Sequence, residues 1–238
     1  MADSKNVTRG LTAEPATGGP SLPRAARLTA LAGAIHAGLF LISFWPVTRT
    51  PGAKSSDAEL AAFYASANDR RPILIGLYLI PFAGIAFLWF ADALREWTRG
   101  FRRRESALLA NMQVFTGILY VGIFFIIAAS YAVTAVTVEL ASGPIDPIMA
   151  RLFPEFGRTL FFFFALRMAA VFAFTTSNIH MAAGILPKWL GQIGIAVGVV
   201  LLLTPTFNDG LSLVFPVWVL AFCGAVARAA NHHQDETT

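Results

Sequence analysis

The stretch from Leu160 to His180, LFFFFALRMAAVFAFTTSNIH, decides the fold class, because it is apolar over most of its length yet holds an arginine, Arg167, inside the run. A helix rises 1.5 Å per residue, so about 20 residues cross a hydrocarbon core of roughly 30 Å. Four phenylalanines precede Ala165 and Leu166, and no further charge appears from Met168 through Phe174. The run reads as a membrane span, and Arg167 becomes the question that it raises.

The rest of the 238-residue chain agrees with this reading. Apolar residues make up 56% and charged residues 13% of the sequence, against about 25% charged in a soluble domain. Mean hydropathy is +0.62. The net charge of +4 does not point to nucleic acid, because the basic residues gather at the ends of apolar runs, where they set topology and meet lipid headgroups. The single cysteine, Cys223, excludes an intrachain disulfide and a paired-cysteine metal site.

Six spans are predicted, at about 25 to 46, 72 to 94, 106 to 137, 158 to 182, 187 to 204 and 210 to 229. The expected fold is therefore an all-α polytopic bundle over residues 25–230. Residues 1–24 and 231–238 are expected to be disordered cytoplasmic tails, since their polar composition offers too little apolar surface to offset ordering. The extreme N-terminus has neither the charged and apolar regions nor the cleavage site of a signal peptide.

Orientation follows from the basic residues. With the N-terminus inside, inner segments carry eleven: Lys5, Arg9, Arg24, Arg27, Arg95, Arg99, Arg102, Arg103, Arg104, Lys188 and Arg228. Outer segments carry six: Arg49, Lys54, Arg70, Arg71, Arg151 and Arg158. This excess places both termini in the cytoplasm. The sharpest single signal is REWTRGFRRRE, Arg95 to Glu105, and Trp45, Trp97 and Trp189 fall at span ends where interfacial aromatics belong.

Two outer loops carry helix signals of their own. Ser56 and Glu59 form a capping-box pattern ahead of Leu60, Phe63 and Tyr64, and Asp146 can cap a helix whose first residue is Pro147. Short outer amphipathic helices are expected in both loops, as lids over a site or as segments resting on the bilayer.

Polar residues inside the spans fall into stripes. Arg167 and Asn178 are eleven residues apart and share a helical face. In span three, Gln113, Thr116, Tyr120, Tyr131 and Thr134 lie on one face, and in span one Thr29, His36 and Ser43 recur every seven residues. Such stripes mean either interhelical hydrogen bonding or a polar cavity within the bundle. Arg167 is the sharpest candidate, because an arginine at a helix centre costs about 2.5 to 3.5 kcal/mol to insert and needs partners for its five donors. It is expected to face the bundle near Tyr120, Tyr131, His36 or a polar group of spans five or six. The candidate binding set is thus Arg167, Asn178, Tyr120, Tyr131 and His36.

Catalytic and cofactor signals are weak. Ser212 in GLSLV lacks the second glycine of an intramembrane serine-protease motif, and no phosphate-binding loop or HExxH occurs. His36 and His180 invite a haem reading, but they lie at different depths, on the order of 10 Å apart at 1.5 Å per residue. No cofactor, no metal site and no catalytic residue is expected. Small residues recur at spacing four, as in Gly194 with Gly198 and Ala34 with Gly38, and permit close helix approach within one chain or between two.

The segments SSDAELAAFYASANDRRPILIGLYL and TTSNIHMAAGILPKWLGQIGIAVGVVLLL, set within six spans, resemble uncharacterised bacterial multi-pass membrane proteins grouped as a domain of unknown function. The likeness covers roughly residues 25 to 230 and implies a bacterial plasma (inner) membrane, with no activity to carry over. The expected role is non-enzymatic: binding or passing a small solute or lipid headgroup through a polar bundle interior. The alternatives are a membrane-embedded lipid-modifying enzyme and a structural or regulatory partner protein. Oligomeric state, substrate and physiological process are left open.

Overall fold

The protein is seen in a computed structural model that describes residues 22–101, 107–141, 143, 145–204, 207–208 and 210–235. The expectation of a disordered N-terminal tail falls, up to residue 21, outside them. Helix is the only regular structure among the described residues. The helices are α1 (Leu22–Val47), α2 (Asp57–Ala65), α3 (Ala67–Arg99), α4 (Ala107–Ala141), α5 (Pro147–Leu160), a π turn (Phe161–Ala165), α6 (Leu166–Ala183), α7 (Lys188–Leu203) and α8 (Leu211–Asp235). The last of these runs into the region expected to form a polar tail.

Five helices are long and apolar enough to cross a membrane: α1, α3, α4, the continuous 37-residue run from α5 through α6, and α8. The chain is thus a helical membrane protein. The fifth expected span, α7, is apolar but has only 16 residues, about 24 Å of helix. Its limits are local. Pro187 sits at its N-cap, and Thr204, the residue before Pro205, leaves helical geometry at ψ 108° as prolines require of the residue preceding them.

The apolar helices alternate in direction only when the short α7 is counted: α6 and α8 run parallel, with Phe172 beside Phe215 and His180 beside Phe222, and α7 runs back between them. Arg70 at the start of α3 meets Glu139 near the end of α4, and Gly76 meets Ser43 and Val47 at the end of α1. At the opposite end, Thr98 of α3 reaches His180 of α6. We call these the α2 end and the His180 end. Helix α1 lies between α3 and α8, while α4 bridges α3 to α6 and α6 carries α7.

Close crossings depend on missing side chains. A Cβ on Gly76 would stand 2.5 Å from the Ser43 carbonyl oxygen, so α1 and α3 meet at backbone contact distance. A Cβ on Gly198 would stand 3.0 Å from the Ala170 carbonyl oxygen, and one on Gly194 would overlap the Ser177 hydroxyl. The Gly194 and Gly198 pair therefore serves an interface within the chain, between α6 and α7.

The middle of the bundle is filled by rings. Phe40, Phe87, Phe124, Phe172 and Phe215 pack with Tyr120 around His36, all buried. Both predicted caps are present. Ser56 Oγ accepts from the Glu59 amide, whose carboxylate accepts from Ser56 N at 2.7 Å, and Asp146 accepts from Ile148 N at 2.8 Å. Helix α2 docks through buried Leu60 and Tyr64 against Ile73, Ala132 and Ala150. Helix α5 is the short helix expected in the third loop, and it continues through the π turn into α6.

Candidate functional site

The π turn explains how Arg167 is held. In it the Leu166 amide bonds back five residues to the Phe161 carbonyl, which inserts one extra residue into the turn. The rings divide accordingly: Phe161 and Phe162 are buried, whereas Phe163 and Phe164 face outward. Arg167, half-buried, donates from Nη1 to the Phe162 carbonyl and from Nη2 to the Thr204 carbonyl at 3.5 Å, with its guanidinium 5.5 Å from the Phe163 ring centre. The partner on the neighbouring helix is thus a backbone oxygen at the C-terminal end of α7, where the helix dipole is negative.

The other candidate residues sit apart from it. Asn178 donates to the Phe174 carbonyl of its own helix at 2.8 Å. His36 is fully buried, and its Nδ1 donates to the Ala83 carbonyl at 2.9 Å, which leaves Nε2 without a hydrogen-bond partner among the described residues. Tyr120 lies against it, ring centres 6.2 Å apart. Of the five, the structure brings His36 and Tyr120 together in the ring-filled layer and places Tyr131 elsewhere, at a pocket.

The hydroxyls of the stripes mostly serve their own helices. Thr29, Ser43 and Thr116 each donate to the carbonyl four residues back, at 2.9, 2.6 and 2.7 Å. Interhelical bonds are fewer: Gln113 Nε2 donates to Thr176 Oγ1 at 2.7 Å, and His180 Nε2 lies 3.2 Å from Thr98 Oγ1.

The pocket lies at the α2 end, has a volume of about 390 Å³ and is bounded by α1, the loop after it, α4, α5, the π turn and the start of α8. Its size falls at the low end of the range for small-molecule sites, about 300 to 1,000 Å³. Phe40, Phe44, Phe161 and Phe162 give it an aromatic wall, and Tyr131 lines it from α4. Arg49, Glu155 and Arg158 are its charged lining residues, two positive and one negative, with Thr48, Thr50 and Ser212 as hydroxyls. Arg167 is not part of the lining, although it holds the carbonyl of Phe162, which is.

Several bonds fix the mouth. The Ala53 amide donates to Glu155 Oε1 at 3.3 Å, and Arg151 donates to the Ser55 carbonyl at 2.8 Å and pairs with Asp57. The loop after α1 is thereby fastened across α5. Arg49 lies over the Trp45 ring at 5.0 Å and Arg158 over Phe207 at 5.8 Å. Outside the spans, the bonds from Ser56 hold the Glu59 carboxyl below its usual range. Among the described residues no group of three or more His, Cys, Asp or Glu could hold a metal ion.

Sequence reasoning treats Arg49 and Arg158 as topology signals and Trp45 as an interfacial anchor. Their joint placement at one pocket was not readable, because residues 40–52, 131, 154–162 and 212–213 converge only in the folded bundle. The one local hint is Glu155 three residues before Arg158 in an amphipathic helix.

No family model matches the chain, and no curated protein or solved structure shows significant similarity to it.

Proposed function

We propose that this membrane protein binds or passes a small solute or lipid headgroup, and that the pocket at the α2 end is where it does so. The observation that carries the reading is the pairing, in one pocket of about 390 Å³, of an aromatic wall with two arginines and a glutamate at its mouth. Binding sites of this kind are mainly apolar, with a few polar groups that orient the ligand. A binding role is favoured over catalysis because Glu155, the one acid in the lining, already accepts from Ala53 N, and no histidine lines the pocket to activate Ser212. The alternative of a structural or regulatory partner protein draws its support from the stripe hydroxyls, which are satisfied by their own helices.

The proposed setting is a bacterial plasma membrane, crossed six times with α7 as a short fifth pass and both termini in the cytoplasm. It is supported by the arginine excess at the inner segments, by the alternation of helix direction, and by the resemblance of residues 25–230 to bacterial multi-pass proteins of unknown function. The α2 end then faces outward. A reporter fused after Thr238 should be active in the cytoplasm, and one inserted at Lys54 should report the outer side; the reverse pattern sinks the topology.

The binding reading is tested by native mass spectrometry of the protein released from its membrane. A bound small molecule is expected on the wild type and should be depleted in Arg49→Gln/Arg158→Gln. An adduct-free wild type, or an adduct indifferent to both substitutions, overturns the pocket as the site.

A further inference from the structure

The pocket has two chemically different ends and an open side, and together they narrow the class of ligand. Resting on the binding reading above, we infer that its occupant is a single-chain anionic amphiphile that enters sideways from the bilayer.

Three observations carry this. First, the interior wall is made of the rings of Phe40, Phe44, Phe161 and Phe162, packed on one another with no polar atom in the side chains, so the side it turns to the pocket suits an aliphatic chain. Second, the described lining holds two arginines, Arg49 and Arg158, and one acid, Glu155, and Arg49 is stacked on Trp45 with no carboxylate paired to it among the described residues. Stacking leaves the edge of a guanidinium, with its N–H donors, open to a carboxylate or phosphate. Third, Leu41, Trp45 and Leu213 line the pocket and yet are 37, 54 and 39% exposed. They lie on α1 and α8, whose outer surfaces face lipid in a membrane-spanning bundle, so part of the pocket's lining is exposed on the lipid-facing side.

Volume limits the tail. A methylene group is close in size to a water molecule, whose share of liquid volume is about 30 Å³. The pocket therefore takes on the order of a dozen such groups, which suits one chain and not the two of a phospholipid. A fatty carboxylate and a single-chain phosphate monoester share this chemistry: one aliphatic chain and one anionic head.

The test uses the full chain in nanodiscs of zwitterionic phosphatidylcholine, with Trp45 as the local reporter and a nitroxide-labelled short-chain fatty carboxylate, of about ten carbons, as the probe. Saturable quenching is expected, absent in Trp45→Phe and at least tenfold weaker in Arg49→Gln/Arg158→Gln. Arg49→Glu, at an exposed side chain that folding tolerates, should abolish it while the circular dichroism spectrum stays that of the wild type. Dodecyl phosphate should compete, and inorganic phosphate should not. Equal saturable quenching by a nitroxide-labelled monoacylglycerol, untouched by the arginine variants, overturns the anionic head. Retention of radiolabelled inorganic phosphate without saturable quenching by the fatty carboxylate overturns the amphiphile and leaves solute binding standing. Failure of both ligands, together with an adduct-free native mass spectrum, ends the binding reading as well.

Discussion

Replacing Arg167 by leucine should change stability little, although the residue is an arginine inside a membrane span. The losses can be listed from the structure. One charge-assisted bond to the Phe162 carbonyl disappears, worth about 1.5 to 3 kcal/mol. The Thr204 contact, at 3.5 Å, is at the edge of hydrogen bonding, and its value is that of a cation near a helix C-terminus, about 0.3 to 1 kcal/mol. The Phe163 ring adds about 0.5 to 1 kcal/mol. Against this stands the cost of holding arginine in hydrocarbon, about 2.5 to 3.5 kcal/mol. Leucine itself contributes a further 0.3 to 0.6 kcal/mol or about that. The net falls within about 2 kcal/mol of zero on either side. Unfolding by sodium dodecyl sulfate, followed by circular dichroism, measures it. Breaking a buried ion pair by removing one partner costs about 3 to 5 kcal/mol. A loss in that range would refute the carbonyl-only account and require a bound anion or a carboxylate beside Arg167.

The remaining predictions concern the α2 end. Gly76→Val should destabilise by about 1 to 3 kcal/mol in the same assay, because its Cβ would stand 2.5 Å from the Ser43 backbone oxygen and the helices must separate; an unchanged midpoint refutes the close crossing. Arg70→Met should cost about 2 to 3 kcal/mol, since buried Arg70 holds Glu139 at 2.9 and 2.7 Å and also the Tyr64 carbonyl. A loss under about 0.5 kcal/mol would class it with exposed ion pairs. Glu59 should titrate below its ordinary value of 4.5 by carbon-13 NMR, because Ser56 bonds favour the carboxylate. Its lowered folded value means the cap contributes above pH 4.5 and is lost as pH falls through that folded value; a midpoint at or above 4.5 contradicts the capping box.

What the sequence reveals and what it hides follow from where partners lie along the chain. Long apolar runs are legible because hydrocarbon imposes the same requirement on every residue of a span, and the capping signals at Ser56 and Asp146 are legible because donor and acceptor stand within three residues of each other. The bounds of α7 are less so: sixteen largely apolar residues between two proline-directed ends look like a span until their length is compared with the bilayer. The π turn leaves no such trace, since LFFFFAL reads equally well as ordinary helix, yet the extra residue decides which phenylalanines wall the pocket.

Arg167 shows the same limit from the other side. A search for its partner scans side chains, and it points to tyrosines, a histidine or a polar group of spans five or six, and that last class includes Thr204. In a medium without water the nearest acceptor is often a backbone carbonyl, which every residue carries and no sequence pattern marks. Thr29, Ser43 and Thr116 obey that rule by bonding four residues back, and Arg167 obeys it across a π turn and onto the end of α7. A stripe of polar residues in a span therefore reports first on the helix that carries it. Other charges gather at the edge of the hydrocarbon, and there Arg49 and Arg158 line the same pocket as the aromatic wall. Exchanging Arg167 for leucine and Arg49 for glutamate should separate the two classes: the first substitution leaves ligand occupancy of the pocket unchanged in native mass spectrometry, and the second removes it. Equal loss in both would place the ligand within reach of Arg167 and move the site from the edge of the bundle to its interior.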